Sequence, residues 1–238
     1  MIWFVFRYPA FRQTLKRKYG VEHLHALRVT DWHHGCGYFS ARYKGRKIFI
    51  KSDYGLGLLP NEVTAQEILR KYPEISRRIL PPLFYDAENF HFVAYEYIEA
   101  PTLKAVLNER RVSAEMLSSI CQQLTCILDA LYKARIVYRD FKLDNIFVFN
   151  SSLILIDFMF AISPDPNIGL KEVKSNRFLR TLILRNMGGA SQKESLLWDD
   201  AFGLHRLMKE MNYTLDGEFG DHCRKIAERV GRLEYSLN

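Results

Sequence analysis

The sequence predicts an α+β protein with a β-rich amino-terminal half and a mainly helical carboxy-terminal half. Short apolar runs broken by glycine, proline and charged turns occupy residues 27–97, a pattern typical of strands and hairpins. An amphipathic pattern with the period of an α-helix follows from Ser113 to about Lys133. With 238 residues and 48% hydrophobic content, the chain can bury one substantial core or two small lobes around a cleft.

The amino terminus is unusually apolar. Residues 1–11 are rich in aromatic side chains, and the basic residues that follow are Arg12, Lys16, Arg17 and Lys18. The apolar run is too short to span a bilayer, and a signal peptide has its charges before the apolar run. Two interpretations remain. Residues 1–18 contact an anionic membrane surface, or they form a strand or short helix packed on the amino-terminal lobe.

Strands dominate the next part of the chain. Residues 27–32 predict a strand, and residues 33–40 predict a bend that contains two glycines. Residues 41–43 and 47–51 predict a hairpin around the turn at 44–46.

A helix is predicted between Asn61, which can cap its first turn, and Pro73, which stops it. Glu62 and Glu67 both lie on this helix. Five residues of helix rotate the chain by about 500°, so the two side chains lie roughly 140° apart. Only one of them can therefore face a given partner.

The remaining elements lead to the most informative segment. Residues 83–86 and 90–97 predict another hairpin, and Ser113 can cap the long helix that ends near Lys133. This helix supports the core and delivers the chain to Tyr138.

Asp140, Lys142 and Asn145 lie close together in the sequence, and Asp157 follows behind two apolar strands joined by a turn at 150–152. A hairpin of this kind carries both acids to one edge. A carboxylate can orient or deprotonate a hydroxyl, a lysine can meet a moving phosphoryl group, and two oxygen ligands can hold magnesium. These residue types predict phosphoryl transfer from ATP.

The stretch YRDFKLDN at 138–145 resembles the catalytic loop H-R-D-x-K-x-x-N of the protein-kinase-like superfamily, and Asp157-Phe158-Met159 resembles its D-F-G motif. Tyr138 replaces the usual histidine and Met159 replaces the glycine. The resemblance implies a two-lobed protein-kinase-like fold. Its β-rich N-lobe would span residues 1–97, and its compact, trimmed helical C-lobe would span residues 98–238.

The resemblance also implies roles at the reacting end of the site. Asp140 would be the catalytic base, and Lys142 would stabilise the charge of the transferred phosphate. Asn145 and Asp157 would bind Mg²⁺, with Mn²⁺ as the alternative ion. ATP and this metal are the implied cofactors.

For the nucleotide, Gly35, Gly37 and Phe39 resemble the phosphate-covering loop G-x-G-x-F-G, in which Ser40 here replaces the third glycine. Glycines let backbone amides approach an anion closely. Lys51 ends a strand as the lysine of V-A-I-K does, and the resemblance makes it the ligand of the α- and β-phosphates.

The carboxylate partner implied for Lys51 is Glu62 rather than Glu67, from its position before Pro73. A glutamate in a first helical turn also complements the helix dipole. The segment Glu96, Tyr97 and Ile98 resembles the hinge whose backbone holds adenine, with Tyr95 flanking the adenine pocket.

Downstream of Asp157 no A-P-E motif is present, and a basic segment contains Lys171, Lys174, Arg177, Arg180 and Arg185. This segment could receive an acidic substrate, pair with the surroundings of Arg139 through a phosphorylated Ser175 or Thr181, or form a solvated helix face. Ser191 to Glu194 predict a capping box that opens a helix. Asp199 or Asp200 resembles the buried aspartate that anchors the catalytic loop.

Composition sets the expected surroundings. The four cysteines show no spacing of a disulfide framework or zinc site, so we expect a reducing, cytoplasmic compartment, with or without peripheral attachment to the inner membrane face. The net charge of +7 favours anionic partners. We expect a nucleotide and no nucleic acid.

The acceptor hydroxyl is less well defined by the sequence. Lysine two residues after the catalytic aspartate is typical of serine/threonine protein kinases, so a protein serine or threonine is our first choice. The small size and basic segment also suit a kinase of a sugar, such as a lipopolysaccharide core heptose. A third hypothesis is a pseudokinase or scaffold that binds nucleotide or a partner without turnover.

Overall fold

The computed structural model describes residues 2–27, 36–109, 112–172, 191–192, 197–211 and 217–236. Within these ranges, a five-stranded antiparallel sheet forms most of the amino-terminal lobe. Helices and two small sheets form the carboxy-terminal lobe. This architecture confirms the predicted α+β, kinase-like fold class.

The strands of the large sheet have the order β1-β2-β3-β5-β4. They are β1 (Val21–Leu27), β2 (Cys36–Tyr43), β3 (Arg46–Asp53), β4 (Phe84–Asp86) and β5 (Phe92–Glu96). The other described strands are β6 (Ile146–Phe149), β7 (Ser152–Leu155), β8 (Ser191–Gln192), β9 (Leu197–Asp199) and β10 (Glu234–Ser236). The described helices are α1 (Ile2–Tyr19), α2 (Leu59–Leu69), α3 (Pro73–Ser76), α4 (Leu103–Asn108), α5 (Ala114–Lys133), α6 (Asp200–Glu210) and α7 (Gly217–Ala227).

The first three strands differ from the sequence prediction. Strand β1 ends at Leu27, where a strand was expected to begin, and residues 28–35 lie outside the described residues. The predicted bend at 33–40 is wrong for residues 36–40, because their backbone pairs with β3 from Asp53 to Phe49. The predicted turn after β2 is confirmed. Lys44 and Gly45 have φ values of 50° and 77°, as a two-residue hairpin turn of the primed type requires.

Helix α1 packs on the large sheet. Phe11 lies 5.5 Å from Phe39 and 5.6 Å from Phe92 between ring centroids, and Leu15 is buried in the same cluster. The predicted packing of the amino terminus on the amino-terminal lobe is confirmed, although the helix, with 18 residues, is longer than expected. In the described part of the chain, no helix has both the length and the apolar character needed to cross a membrane.

The start of α2 is determined by a carboxylate from another element. The predicted cap at Asn61 is wrong, because the helix begins at Leu59 and Asn61 lies inside its first turn. Instead, the buried Asp53 at the end of β3 accepts hydrogen bonds of 2.7 to 3.2 Å from the N–H groups of Gly55, Leu56, Leu58 and Leu59. Asp53 therefore joins the sheet to the helix that carries Glu62.

Helix α5 is the centre of the carboxy-terminal core. The predicted cap is confirmed, since Ser113 Oγ accepts a hydrogen bond of 3.2 Å from Met116 N–H. The apolar face of α5 packs with residues of α6 and α7 in one cluster. The predicted hairpin after residues 138–145, which we call the catalytic-type loop, is also confirmed, and it forms β6 and β7.

The capping box predicted from Ser191 to Glu194 is wrong. Ser191 and Gln192 form β8 and pair with Trp198 and Leu197 of β9. Helix α6 starts later, at Asp200, and the side chain of Asp199 caps it by accepting N–H bonds from its first residues. A local Ser-x-x-Glu pattern cannot reveal that a strand partner competes for the same backbone.

We predict that Asp53→Ala lowers the free energy of unfolding by about 2 kcal/mol, because buried N–H groups lose a charged acceptor. Chemical denaturation at neutral pH measures this difference. Asp221→Asn is the control: Asp221 lies on the exposed surface of α7, so its effect should stay within about 0.5 kcal/mol. Equal effects of the two substitutions would show that Asp53 does not hold α2.

Candidate active site

The catalytic-type loop is fixed to α6 by one buried aspartate. Asp200 accepts hydrogen bonds from the backbone N–H of Tyr138 at 2.5 Å and of Arg139 at 2.9 Å. Arg139 has a φ of 71°, a conformation that needs such external support. Of the two predicted candidates for this anchoring contact, Asp200 makes it, whereas Asp199 caps the helix.

Within the loop, three predicted site residues lie together. The buried carboxylate of Asp140 accepts hydrogen bonds through Oδ2 from Lys142 Nζ at 2.8 Å and from Asn145 Nδ2 at 2.8 Å. Asn145 Nδ2 also donates to the carbonyl of Asp140 at 3.1 Å. Since the amide nitrogen of Asn145 faces Asp140, its amide oxygen is the atom left to bind a ligand. Lys142 is half-exposed, so its ammonium group can reach a bound substrate.

Tyr138 links this loop to the second acid. Its hydroxyl donates to the carbonyl of Ile156 at 2.5 Å and accepts from Asn145 Nδ2 at 3.3 Å. Burial raises the pKa of Tyr138 well above its ordinary value, so the hydroxyl keeps the proton that it donates. Asp157 follows Ile156 directly and has a φ of 62°. The residue that replaces histidine in the motif thus bonds to both segments that carry the predicted metal ligands.

Lys51, Glu62 and Asp157 form a buried ionic cluster. Lys51 Nζ lies 2.7 Å from Glu62 Oε2 and 2.7 Å from Asp157 Oδ1. Burial acts against the charge of Lys51, but Asp157 and Glu62 raise its pKa well above the ordinary value. Burial raises the pKa of Glu62. For Asp157, Lys51 outweighs burial and lowers the pKa. Glu62 is therefore the glutamate of α2 that contacts Lys51, whereas Glu67 is exposed.

Tyr95 completes this cluster. Its buried hydroxyl lies 2.9 Å from Glu62 Oε1 and 3.2 Å from Gln66 Oε1. Sequence reasoning assigned Tyr95 to the adenine pocket and missed this contact with the helix. A signal was present, because a tyrosine in an apolar central strand needs a partner for its hydroxyl when it is buried.

The glycine segment is described only in part. Gly35 lies outside the described residues, whereas Gly37 lies in β2 opposite Ser52. A Cβ atom on Gly37 would come within 3.2 Å of the Phe39 ring, so glycine is suited to this position by packing. Phe39 is fully buried in the lobe core, and it does not extend toward a ligand. The phosphate-covering role of Gly35 and Gly37 stays a prediction.

The hinge-like segment begins at Glu96, the last residue of β5. Glu96 is exposed and forms an ion pair of 3.7 Å with Arg46. The N–H of Tyr97 donates to the carbonyl of Lys47 at 3.2 Å, as a continuation of the sheet. In the part of the chain that the structure describes, nothing accepts a hydrogen bond from the N–H of Ile98. Of the amides of Tyr97 and Ile98, only that of Ile98 is therefore without an acceptor among the described residues.

The predicted basic segment lies largely outside the described residues, which end at Glu172 in this region. Lys174, Ser175, Arg177, Arg180, Thr181 and Arg185 all fall there. The described part reveals two residues that sequence reasoning had not linked to the site, Asn61 and Glu172. Asn61 contacts the backbone of Lys171, and Glu172 contacts the side chain of Arg139. No local sequence pattern identifies such long-range pairs.

A sheet-based lobe, a helical lobe and a buried lysine shared by two acids are together the features of the kinase-like class of proteins. The profile of the family described as Protein kinase domain matches residues 58–178, which is just over half of the chain. The chain therefore belongs to the protein kinase domain family.

One curated protein and one solved structure are similar to this chain, the first in sequence and the second in fold. The chain is 28% identical to the serine/threonine-protein kinase TIO of Arabidopsis thaliana over an alignment of 170 residues, which covers 65% of this chain and 12% of that protein. Its fold is similar to that of the Cydia pomonella granulovirus kinase PK-1, with a TM-score of 0.51 and 15% identity over 66% of this chain and 57% of that one. The chain thus spans less than two thirds of either relative's length.

Asp200 leads to a pH-dependent prediction. Burial raises its pKa to about 7, against the two backbone N–H groups that lower it. Between pH 5 and 7 the folded state therefore holds a proton that the unfolded state has already lost, so stability should fall as the pH rises. We expect the unfolding free energy of the wild type, relative to Asp200→Asn, to fall by roughly 1 kcal/mol per pH unit.

Denaturation with urea at several pH values measures this slope. Asp129→Asn serves as the control, because Asp129 is a partly exposed acid on α5 paired with Arg229. A stability difference between the wild type and Asp200→Asn that does not change with pH would show that the carboxylate is ionised in both states.

Proposed function

We propose that this protein is a phosphotransferase that moves the γ-phosphoryl group of ATP to a serine or threonine hydroxyl of a protein. The observation that supports it best is the buried contact of Lys51 with Glu62 and Asp157. Phosphoryl transfer depends mainly on positioning and charge stabilisation. A lysine fixed by two carboxylates meets that requirement, since its charge and position are both set before the substrate arrives.

In the proposed reaction, the acceptor oxygen forms a bond to the γ-phosphorus as the bond from that phosphorus to the bridging oxygen of ADP breaks. Asp140 accepts or directs the proton of the hydroxyl. Its Oδ2 is held by Lys142 and Asn145, so the carboxylate is oriented in advance. Lys142 stabilises the negative charge of the transferred group from its half-exposed position.

For nucleotide binding, Lys51 contacts the α- and β-phosphates, and the backbone near Gly35 and Gly37 covers them. The segment Glu96, Tyr97 and Ile98 binds adenine through backbone groups. This segment also marks the proposed boundary between an amino-terminal lobe at 1–97 and a carboxy-terminal lobe at 98–238. The N–H of Ile98, which has no acceptor among the described residues, supports this assignment.

The residues present suit a divalent cation. Two carboxylates share the single charge of Lys51, and this excess of negative charge favours a cation nearby. Asp157 and the amide oxygen of Asn145 are oxygen donors of the kind that Mg²⁺ prefers, and Mn²⁺ accepts the same donors. Among the described residues, no cluster of three or more His, Cys, Asp or Glu side chains could hold a metal. Two protein ligands suffice for Mg²⁺, which takes its other ligands from phosphates and water. When bound, the ion neutralises phosphate charge.

The family match and the relative described as a serine/threonine-protein kinase support a protein acceptor. No contact among the described residues favours a sugar, so a glycan acceptor and a non-catalytic scaffold remain as outcomes of the test.

We predict that the purified chain, given labelled ATP and Mg²⁺, transfers label to a generic protein acceptor. Asp140→Asn should lower this rate by about 10²- to 10⁴-fold, because the hydroxyl loses its base. A lipopolysaccharide extract is offered in parallel, and nucleotide binding is measured by calorimetry. Label on the extract alone would refute the protein acceptor, and binding without any transfer would identify a scaffold.

We further predict that Glu62→Gln lowers the transfer rate by about 10²-fold, because Lys51 loses its charged partner and shifts. Glu67→Gln is the matched control on the exposed face of the same helix and should keep the wild-type rate. Steady-state kinetics with varied ATP measures both. Similar rates for the two variants would contradict the role of Glu62.

A further inference from the structure

A two-residue segment after Asp157 contacts both halves of the candidate site. On one side, the buried Asn61 of α2 binds the backbone of Lys171 at two points. Lys171 N–H donates to Asn61 Oδ1 at 2.9 Å, and Asn61 Nδ2 donates to the carbonyl of Lys171 at 2.6 Å. Asn61 Nδ2 also lies 3.4 Å from the carbonyl of Ala161. The Asn61 amide thus binds the N–H and C=O groups of Lys171, as the backbone of a neighbouring strand would do.

On the other side, the next residue binds the catalytic-type loop. Glu172 accepts hydrogen bonds from Arg139 Nη1 at 3.2 Å and 2.9 Å. The guanidinium of Arg139 is fully buried, donates through Nε to the carbonyl of Phe160 at 2.6 Å and lies over the Trp198 ring. Arg139 therefore has little freedom to move, and Glu172 is held in turn.

The charge of Arg139 makes this contact energetically important. A buried cation without an anion is strongly unfavourable. Among the described residues, Glu172 is the carboxylate within ion-pair distance of this guanidinium. Glu172 thus supplies the negative charge that Arg139 requires. A phosphorylated serine or threonine would be another source of that charge.

The positions of these contacts in the sequence connect them to the chemistry. Asn61 directly precedes Glu62, and Arg139 directly precedes Asp140. Lys171 and Glu172 are also adjacent, so one short segment joins the helix that holds Lys51 in place to the loop that carries the proposed base. A displacement of either element must stretch this connection.

We propose that Asn61 and Glu172 are positioning residues, which join α2 to the catalytic loop through residues 171–172. They keep Glu62 and Asp140 correctly placed relative to each other, and this does not require a phosphoryl group on the segment that follows Asp157. The inference rests on the proposed function. It also has a structural consequence that is independent of catalysis, because the N–H of Lys171 is protected by Asn61.

The test uses the full chain after phosphatase treatment, so that no phosphoryl group can take the place of Glu172. The variants are Asn61→Ala, Asn61→Asp, Glu172→Gln and the double variant Asn61→Ala with Glu172→Gln. Asn61→Asp keeps the size of the side chain and the acceptor for Lys171 N–H, but it removes the donor to the Lys171 carbonyl and adds a negative charge. Its kcat therefore remains informative if Asn61→Ala does not fold. The controls are Asn167→Ala, an exposed amide in the same part of the chain, and Glu210→Gln, which breaks an exposed ion pair with Arg206.

Amide hydrogen exchange at Lys171 is the first readout. Asn61→Ala should speed this exchange by about tenfold, which is the effect of losing one hydrogen bond, and the controls should leave it unchanged. The second readout is kcat for phosphoryl transfer, which should fall by about tenfold or more in each single variant. The double variant should be no slower than the worse single variant, because both substitutions break the same connection.

Unchanged Lys171 exchange in Asn61→Ala, unchanged kcat in Asn61→Asp, or losses of kcat that multiply in the double variant would overturn the proposal. So would a wild-type enzyme that loses its activity when phosphatase removes phosphate from it. If the wild type transfers no phosphate but Lys171 exchange responds as expected, the proposed function fails while the connection between α2 and the loop stands.

Discussion

The ammonium group of Lys51 is buried, and the two carboxylates that stabilise its charge come from distant parts of the chain. Glu62 is carried by α2, and Asp157 follows the β6–β7 hairpin. An unpaired lysine in this position would be neutral or strongly destabilising. The site therefore forms only when the sheet, the helix and the hairpin are all in place, which makes this ionic cluster both a product of the fold and a constraint on it.

Around this cluster, the backbone takes conformations that local sequence does not favour. Arg139 and Asp157 have φ values of 71° and 62°, in the region that non-glycine residues rarely occupy. Asp200 holds the first through backbone N–H groups, and the hydroxyl of Tyr138 holds the carbonyl that precedes the second. These contacts fix the backbone beside Asp140 and Asp157 and so help to determine where the two acids point.

Elements whose signals are local could be predicted from the sequence. Ser113 caps α5 as expected, and the turn between β6 and β7 is formed by Asn150 and Ser151, which both tolerate its positive φ values. The errors occurred where a distant group decides the outcome. Asp53, rather than Asn61, accepts the N–H groups at the start of α2. Ser191, where a capping box was expected, lies in a strand that pairs with β9. The family resemblance implied the pairing of Lys51 with Glu62. It did not reveal the contacts of Lys51 with Asp157, of Tyr95 with Glu62 or of Glu172 with Arg139.

The contact between Asn61 and residue 171 uses only the main chain of its partner. Any amino acid except proline has the N–H and C=O groups that this contact needs, so the side chain at 171 can change freely in size, charge or polarity. The surface of this segment can therefore diverge during evolution while its attachment to α2 persists.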